Sequence, residues 1–227
     1  RKGAKVGLIT TKGFRDVLEL QRSNRRDMYN FRYQKPDPIV PRYLRLEVEE
    51  RVTASGEILK PLKEEDVKKA LEKFLREGVE SICISFINSY ANPTHELRAG
   101  EIVQESMDVP VTLGHEITRE WREYERTMTA VLNAYVKPKL IKYLTRLEEA
   151  FKEKGFKKSP FVMLSNGGVA TFDIAKKFPI YTIESGPVAG VIGGVYIAKL
   201  LGDSNVIVLD GGSTTTKASL IEGLIPR

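Results

Sequence analysis

Residues 206–221 read VIVLDGGSTTTKASLI, and the order of apolar, glycine and hydroxyl residues in them predicts one folding motif. The apolar run at the start predicts a buried strand that ends at Asp210. Two glycines then predict a tight turn, and residues 218–221 predict an antiparallel partner strand. This part of the chain is therefore expected to form a β-hairpin.

The turn of this hairpin has the composition of a phosphate site. Glycines let the backbone approach an anion and turn N–H groups towards it, and hydroxyls add further donors. Asp210 lies at the strand end, where its carboxylate suits a hard cation such as Mg²⁺. A turn that is merely rich in Gly and Thr is the alternative. The predicted nucleotide- and phosphate-binding residues are Asp210, Gly211, Gly212, Ser213, Thr214, Thr215 and Thr216, with Asp210 as the Mg²⁺ ligand.

The segment before the hairpin predicts a helix of small residues. Residues 184–194 read ESGPVAGVIGG, and the pattern predicts a loop followed by a helix over residues 188–201. Each glycine inside a helix costs about 1 kcal/mol relative to alanine, so the three glycines at 190, 193 and 194 need a physical reason. A close crossing of two helices at a hinge supplies one. The predicted hinge residues are Ser185, Gly186 and Gly190.

Outward from this region, strands alternate with helices, which predicts an α/β fold. The predicted strands cover residues 6–11, 44–51, 79–86, 109–113 and 161–165. The predicted helices cover residues 16–21 and 63–77, one that opens at residues 92–96, and a long one over 120–151 with a bend at Pro138. Helix 63–77 is amphipathic and is expected to bury Val67, Leu71, Phe74 and Leu75.

Composition excludes several classes of protein. The 227 residues are 41% hydrophobic and 29% charged, which is typical of a soluble globular protein, and the net charge of +6 comes from basic residues interleaved with acidic ones. No basic stripe alternates with aromatic residues, so nucleic acid is not an expected partner. No apolar run approaches the roughly 18 residues of a membrane span, which makes the cytoplasm the default location. The single cysteine, Cys83, is expected to be buried.

Six ordered segments, spread over nearly the whole chain, resemble the hydantoinase A/5-oxoprolinase family of the actin/sugar-kinase/Hsp70 ATPase superfamily. They read RKGAKVGLITTKGFRDVLE, SYANPTHE, REYERT, NAYV, SNGG and SGP, and begin at residues 1, 89, 122, 133, 165 and 185. The resemblance implies an α/β fragment of a two-lobed ribonuclease H-like (actin/Hsp70-type) ATPase with mixed sheets flanked by helices. It places residues 1–115 in the N-terminal lobe and residues 116–227 at the start of the ATPase lobe.

The resemblance also implies an activity. ATP and Mg²⁺ would activate the carbonyl of a cyclic amide, of the hydantoin or 5-oxoproline type, by phosphoryl transfer before ring opening. A second (B-type) subunit and an oligomer are expected. The family's first phosphate loop would precede residue 1, and the ATPase lobe would continue past residue 227, so these residues alone are expected to be inactive. The alternatives are the ATP-handling subunit of an acetone- or acetophenone-type carboxylase, and an Hsp70- or activator-like ATPase that acts on a partner protein.

Two positions depart from the family pattern, since Lys217 replaces an acidic residue and Asn88 a common histidine. Lys217 is expected to face solvent rather than phosphate. The candidate substrate residues are Arg22, Asn24, Arg25, Glu123, Arg126, Asn166, Gly167 and Gly168. Simpler roles compete for some of them, namely a charged helix end after residue 21 and an exposed i, i+3 ion pair between Glu123 and Arg126. The two histidines, 95 and 115, have no sequence spacing of a metal site, and no catalytic residue is assigned.

Overall fold

The computed structural model describes residues 3–23, 25–212 and 215–227, and the chain divides into two compact units. The first unit ends at Tyr143 and the second begins at Leu144. The predicted lobe boundary near residue 115 concerns the whole protein and stays a prediction. Within the described ranges no helix has both the length and the apolar character needed to cross a membrane.

The first unit is built on a four-stranded parallel sheet. Its elements, in chain order, are β1 (Val6–Thr11), α1 (Val17–Leu20), a 3-10 turn (Arg42–Leu44), β2 (Arg45–Val48), β3 (Arg51–Val52), β4 (Ile58–Lys60), α2 (Glu64–Arg76), β5 (Ser81–Ser85), α3 (Thr94–Ser106), β6 (Val111–Leu113), α4 (Gly114–Ile117) and α5 (Glu123–Glu153), whose last residues belong to the second unit. The strand order is β2-β1-β5-β6 and every pairing is parallel. Strands β1 and β5 are buried along their whole length, and burial of β5 was predicted from the absence of polar alternation over residues 79–86.

Helices pack on this sheet through a small residue in one strand and through polar side chains in others. Gly7 of β1 leaves room for the ring of Phe74 from α2, and a Cβ at residue 7 would lie only 2.7 Å from that ring. Helix α5 is joined to the sheet by two buried hydrogen bonds. The Asn133 side chain donates to Thr112 Oγ1 over 3.1 Å, and the hydroxyls of Ser85 and Thr127 lie 2.8 Å apart.

Helix α2 confirms the predicted amphipathic helix, with one exception. Its buried face contains Val67, Leu71 and Phe74, and it stops before Gly78, whose φ of +63° suits glycine. The prediction that Leu75 is buried was wrong, because this side chain is 70% exposed. Successive residues are about 100° apart around a helix, so Leu75 turns away from the stripe that contains Phe74.

The single strand predicted over residues 44–51 is wrong, since the structure divides it. Strand β2 joins β1 in parallel and ends at Val48. The next strand, β3, instead pairs antiparallel with β4, across the turn at residues 54–57. Glu50 separates the two strands because its carboxylate turns into the core, where it binds the buried side chains of Thr11 and His95.

The second unit holds the predicted hairpin. Its elements are the end of α5, β7 (Phe161–Met163), β8 (Val169–Thr171), α6 (Phe172–Lys177), a 3-10 turn (Pro179–Thr182), α7 (Ser185–Leu201), β9 (Val206–Gly211), β10 (Thr216–Glu222) and β11 (Ile225–Pro226). Strands β11, β10 and β9 form an antiparallel sheet in that order, which confirms the hairpin of β9 and β10. The continuous helix α5 runs through Pro138.

Strand β9 is not the fully buried strand that its apolar run predicts. Ile207 and Leu209 are exposed, whereas Val208 lies under α7. Alternate residues of a strand point to opposite faces of the sheet, and within the described residues α7 covers one of them. Cys83, in contrast, is buried as predicted, and burial raises the pKa of its thiol.

Replacing Gly7 by alanine is expected to lower the free energy of unfolding by about 1–3 kcal/mol, because the added Cβ crowds the Phe74 ring. The substitution Phe74→Leu in the same chain relieves that overlap, so the double variant should lose less stability than the two single variants together. Urea unfolding of the four proteins measures this coupling. Strict additivity would contradict the packing described above.

Candidate functional site

The hairpin between β9 and β10 presents the predicted phosphate-binding residues at an open turn. Asp210 lies opposite Lys217, and the Gly212 N–H donates to the Thr215 carbonyl over 3.0 Å, which closes the turn. Asp210 is half-buried at the strand end. The exposed residues of the turn are Gly211, Gly212, Thr215 and Thr216. The two remaining predicted residues, Ser213 and Thr214, lie outside the described part of the chain.

The first turn of α7 lies beside this hairpin. Lys217, on the strand that leaves the turn, forms an ion pair with Glu184, the residue before α7. Glu184 has a left-handed backbone, with a φ of +61°, and its side chain does not cap the helix. The first N–H groups of a helix have no partner within it, and the helix dipole favours an anion there. Ser185 and Gly186, predicted as hinge residues, are therefore next to the predicted phosphate turn.

Lys217 has a partner that the sequence did not predict. Its partly exposed side chain forms an ion pair with the exposed carboxylate of Glu184, and the expectation that it faces solvent rather than phosphate stays a prediction. The ion pair neutralises the lysine that lies opposite Asp210, so Lys217 does not compete with a metal ion for the Asp210 carboxylate. Mg²⁺ with nucleotide phosphates is commonly held by one or two protein carboxylates, and Asp210 supplies one at the end of β9.

A glycine brings α7 against the strand that ends at Asp210. A Cβ at Gly194 would overlap the Cγ2 methyl of Val208 in β9. The close approach expected from this glycine is therefore present, but it is made to a strand rather than to a second helix. Gly190 and Gly193 have no heavy atom of the described residues within 4 Å of a would-be Cβ, so the hinge role of Gly190 stays a prediction.

The turn at residues 165–168 packs against the same helix. Its backbone is fixed by Ser165, whose N–H and hydroxyl both donate to the Tyr181 carbonyl, over 2.7 and 2.9 Å. Gly167 has a φ of +86°, and a Cβ there would lie 2.9 Å from the Ile192 side chain of α7. The Gly168 N–H donates to the side chain of Asn166. Three segments that the sequence selects separately thus meet around α7.

The candidate residues of the first unit form a different group. Arg22 donates to both carboxylate oxygens of Glu125 and, over 3.3 Å, to Glu123. The Arg22 hydrogen bond lowers the pKa of Glu125, and the same contact raises the pKa of Arg22. Arg25 is exposed, and Asn24 lies outside the described residues. Arg22 therefore forms an ion-pair cluster with the two carboxylates at the start of α5.

The exposed pair predicted between Glu123 and Arg126 is wrong, because Arg126 points inward. Its guanidinium donates to the Glu120 carbonyl over 2.6 Å and to the Phe86 carbonyl over 3.0 Å, and burial lowers its pKa. The Nε of Arg126 has no hydrogen-bond partner within the described residues. A buried arginine must be hydrogen-bonded, and the carbonyls of Glu120 and Phe86 are the acceptors that meet its guanidinium in the core.

Sequence reasoning missed two buried carboxylate–histidine pairs. Glu50 lies 2.8 Å from His95 Nδ1, and Glu96 lies 2.6 Å from His115 Nδ1. Each carboxylate is distant in sequence from its histidine, so residue spacing did not reveal either pair. His95 and Glu96 do fall within the family-like segment SYANPTHE. In the described ranges no group of three or more His, Cys, Asp or Glu side chains could hold a metal ion.

Comparisons with known proteins find matches in both units of the chain. The family model for the hydantoinase/oxoprolinase N-terminal region matches residues 1–107, and the hydantoinase/oxoprolinase model matches residues 126–225. The chain is 35% identical to the caprolactamase subunit alpha of Pseudomonas jessenii, covering 98% of this chain and 32% of that protein. It is also 35% identical to the acetophenone carboxylase gamma subunit of Aromatoleum aromaticum, covering 97% and 32%.

A solved structure has the same fold. The nucleotide-free structure of an acetone carboxylase that carries out ATP-dependent acetone carboxylation superposes with a TM-score of 0.87 at 32% identity, over 99% of this chain and 33% of that one. The predicted α/β fold class is thereby confirmed. The chain spans about a third of the length of the relatives that it matches.

The contact between α7 and β9 predicts opposite effects at two neighbouring glycines. Gly194→Ala should lower the free energy of unfolding by about 1–3 kcal/mol, because its methyl overlaps Val208. Gly193→Ala, which meets open space, should raise the free energy of unfolding by up to about 1 kcal/mol through helix propensity. Thermal unfolding of the two variants of this chain measures the difference. Equal effects would contradict the glycine-dependent approach of α7 to β9.

Proposed function

We propose, because this chain belongs to the hydantoinase/oxoprolinase family, that the whole protein is an ATP-dependent hydrolase that opens a cyclic amide of the hydantoin or 5-oxoproline type. One observation supports the ATP-dependent step most directly. Gly211 and Gly212 are exposed after Asp210, and the ion pair of Lys217 with Glu184 joins this hairpin to the residue before α7, which supports an anion site formed by the turn and the first N–H groups of the helix.

The residues of this site would act by positioning and charge neutralisation. Gly211 and Gly212 let the backbone approach a phosphate, and the hydroxyls of Thr215 and Thr216 supply further donors. Asp210 would hold Mg²⁺ bound to the nucleotide. Bound ATP would supply a phosphoryl group that turns an unreactive amide carbonyl into a good electrophile, and the protein's contribution to such transfers is mainly alignment and electrostatics.

The family also supports proposals about assembly. Two of its relatives are subunits by name, the caprolactamase subunit alpha and the acetophenone carboxylase gamma subunit. We propose that this protein likewise works in the cytoplasm with a second, B-type subunit in an oligomer. The substrate candidates Arg25, Asn166, Gly167 and Gly168 remain proposals, as does a cleft role for Arg22, Asn24, Glu123 and Arg126.

A second candidate function has support from specific relatives. The likeness to acetophenone carboxylase and acetone carboxylase, at 35% and 32% identity, favours an ATP-handling subunit of a ketone carboxylase about as strongly as the likeness to caprolactamase favours an amide hydrolase. A third possibility is an ATPase that drives a partner protein, as Hsp70-like and activator ATPases do. The three differ in what must be present for ADP to be released.

The test measures ADP release by the whole protein with its second subunit. Hydantoin-, oxoproline- or lactam-dependent ADP release is the expected result. Release that needs a ketone and bicarbonate would instead establish the carboxylase function. Release that needs only a partner protein would overturn both enzymatic readings.

Asp210→Asn in the whole protein is expected to lower substrate-dependent ADP release by about 100-fold or more, because the loss of metal-assisted charge stabilisation costs several kcal/mol. Asp203→Asn is the matched control, since Asp203 is an exposed carboxylate in the loop between α7 and β9. The Asp203 variant should keep the wild-type rate to within about twofold. Such a change is well below the tenfold change in rate that corresponds to about 1.4 kcal/mol. Equal activity of the Asp210 variant and wild type would exclude the proposed metal ligand.

Residues 1–227 alone are expected to bind Mg·ATP more weakly than the whole protein, with a Kd above the micromolar range. The physical reason is that the family's first phosphate loop, as the resemblance implies, lies outside these residues. Calorimetry on the chain and on the whole protein measures the difference. Micromolar affinity of the 227 residues alone would contradict this division of the phosphate site.

A further inference from the structure

The carboxyl ends of β1 and β5 form a second place in the first unit where a ligand is expected. The neighbours of β1 in the sheet are β2 on one side and β5 on the other, so the connections that leave β1 and β5 diverge. In open parallel sheets, ligands bind outside the carboxyl ends of the strands at such a switch point. Thr11 ends β1, and residues 86–89 follow β5 at this edge.

A chain of buried hydrogen bonds is built at this edge. Thr11 Oγ1 accepts the Ile87 N–H over 2.9 Å and donates to one carboxylate oxygen of Glu50. The other oxygen of Glu50 lies 2.8 Å from His95 Nδ1. The three side chains of this Thr11–Glu50–His95 chain are almost completely buried.

The chain of hydrogen bonds fixes which nitrogen of His95 is available. An ionised carboxylate only accepts hydrogen bonds, so Nδ1 of His95 donates to Glu50. In a neutral imidazole, Nε2 then has the free lone pair. His95 hydrogen-bonds through Nδ1, and the Glu50 carboxylate binds the side chains of Thr11 and His95. With His95 neutral, Nε2 is a hydrogen-bond acceptor beside the Glu50 carboxylate.

A second observation at the same edge points to a missing polar partner. Ser89 is 2% exposed, and its hydroxyl has no hydrogen-bond partner within the described residues. Asn88, the residue before it, has a left-handed backbone with a φ of +59° and is held there by a 2.9 Å hydrogen bond from its side chain to the Val52 carbonyl. A buried hydroxyl without a hydrogen-bond partner needs an explanation, and a polar group of a bound ligand is one.

We propose that this edge binds the ring amide of the substrate, with Nε2 of His95 accepting the amide N–H and the Ser89 hydroxyl donating to the amide carbonyl. The proposal rests on the proposed hydrolase function and assigns its amide-recognition residues. An uncharged N–H donor fits because Glu50 disfavours an anion at this position. A cyclic amide offers an N–H and a carbonyl side by side, which matches one acceptor and one donor of the protein.

The second buried pair serves a different purpose. Glu96 accepts the backbone N–H groups of Phe86 and His115 as well as His115 Nδ1, over 2.6–2.9 Å. Glu96 thus ties the end of β5 to α4, and His115 follows the edge strand β6 rather than the switch point. His115 is therefore a matched control, since it is also a buried histidine on a carboxylate.

The test uses the whole protein with its second subunit. The kcat/KM for ADP release is compared for a cyclic amide that stimulates it and for the N-methyl derivative of that amide, which has no N–H to donate. Wild type is expected to favour the N–H amide by at least about tenfold, since a site built for a substrate N–H rejects the analogue without it. His95→Phe should lower kcat/KM for the N–H amide and bring the ratio close to one, and His95→Gln should restore part of the preference.

The outcomes separate the two proposals. If cyclic amides stimulate ADP release but folded His95→Phe, verified by its thermal unfolding, keeps the wild-type ratio, the assignment of His95 is overturned while the hydrolase function stands. Equal losses for both substrates would mean a purely structural role and would also overturn it. His115→Gln should keep the wild-type ratio, and a collapse of the ratio in that variant would contradict the assignment to His95. If no cyclic amide stimulates ADP release, the hydrolase function itself fails.

Discussion

Helix α7 can lie directly on strand β9 only because residue 194 has no side chain. Any Cβ there would overlap Val208, so the glycine sets the distance between the helix and the strand. Asp210 follows Val208 by two residues and lies on the same strand, and the ion pair between Glu184 and Lys217 joins the start of the helix to the other strand of the hairpin. The neighbouring positions of a helix N-terminus and a glycine turn follow from this contact, and the proposed phosphate site depends on them.

In the first unit, several parallel strands end at a buried edge of the sheet, where polar groups of the chain are removed from water. Each unpaired polar group there costs free energy unless it finds a partner. Glu96 and Arg126 bind the N–H and the carbonyl of Phe86, so the first residue after β5 is held from both sides. Glu50 similarly joins Thr11 to His95. The buried carboxylates fix the loops at this edge, where the Ser89 hydroxyl has no hydrogen-bond partner among the described residues.

The sequence predicted the fold correctly where the structure depends on short-range patterns of residues. Strand β1 has the predicted bounds, helix α2 differs from its prediction by one residue at each end, and the β9–β10 hairpin follows from an apolar run and a glycine pair. Patterns of this kind depend on neighbours in the chain, which the sequence shows directly. The glycines and hydroxyls of the turn supplied the expectation that the hairpin binds phosphate, and the resemblance to the family then supported it.

The errors arose where a distant residue decides the outcome. Residues 44–51 alternate like one strand, but the partner of Glu50 is His95, and this contact turns the chain between β2 and β3. Arg126 has the spacing of a surface pair with Glu123, but carbonyls at residues 86 and 120 take its guanidinium inward. The exposed face of β9 was missed because an apolar run does not reveal whether one or both faces are covered.

A crystal structure of the whole protein with Mg²⁺ and a non-hydrolysable ATP analogue would test the central claim most directly. The account predicts phosphate oxygens within hydrogen-bond distance of the Gly211 N–H or of the Thr215 and Thr216 hydroxyls, with Mg²⁺ on the Asp210 side of the turn and the first turn of α7 facing the nucleotide. A nucleotide bound elsewhere, or a hairpin turn packed into a dry interface with no space for an anion, would contradict it.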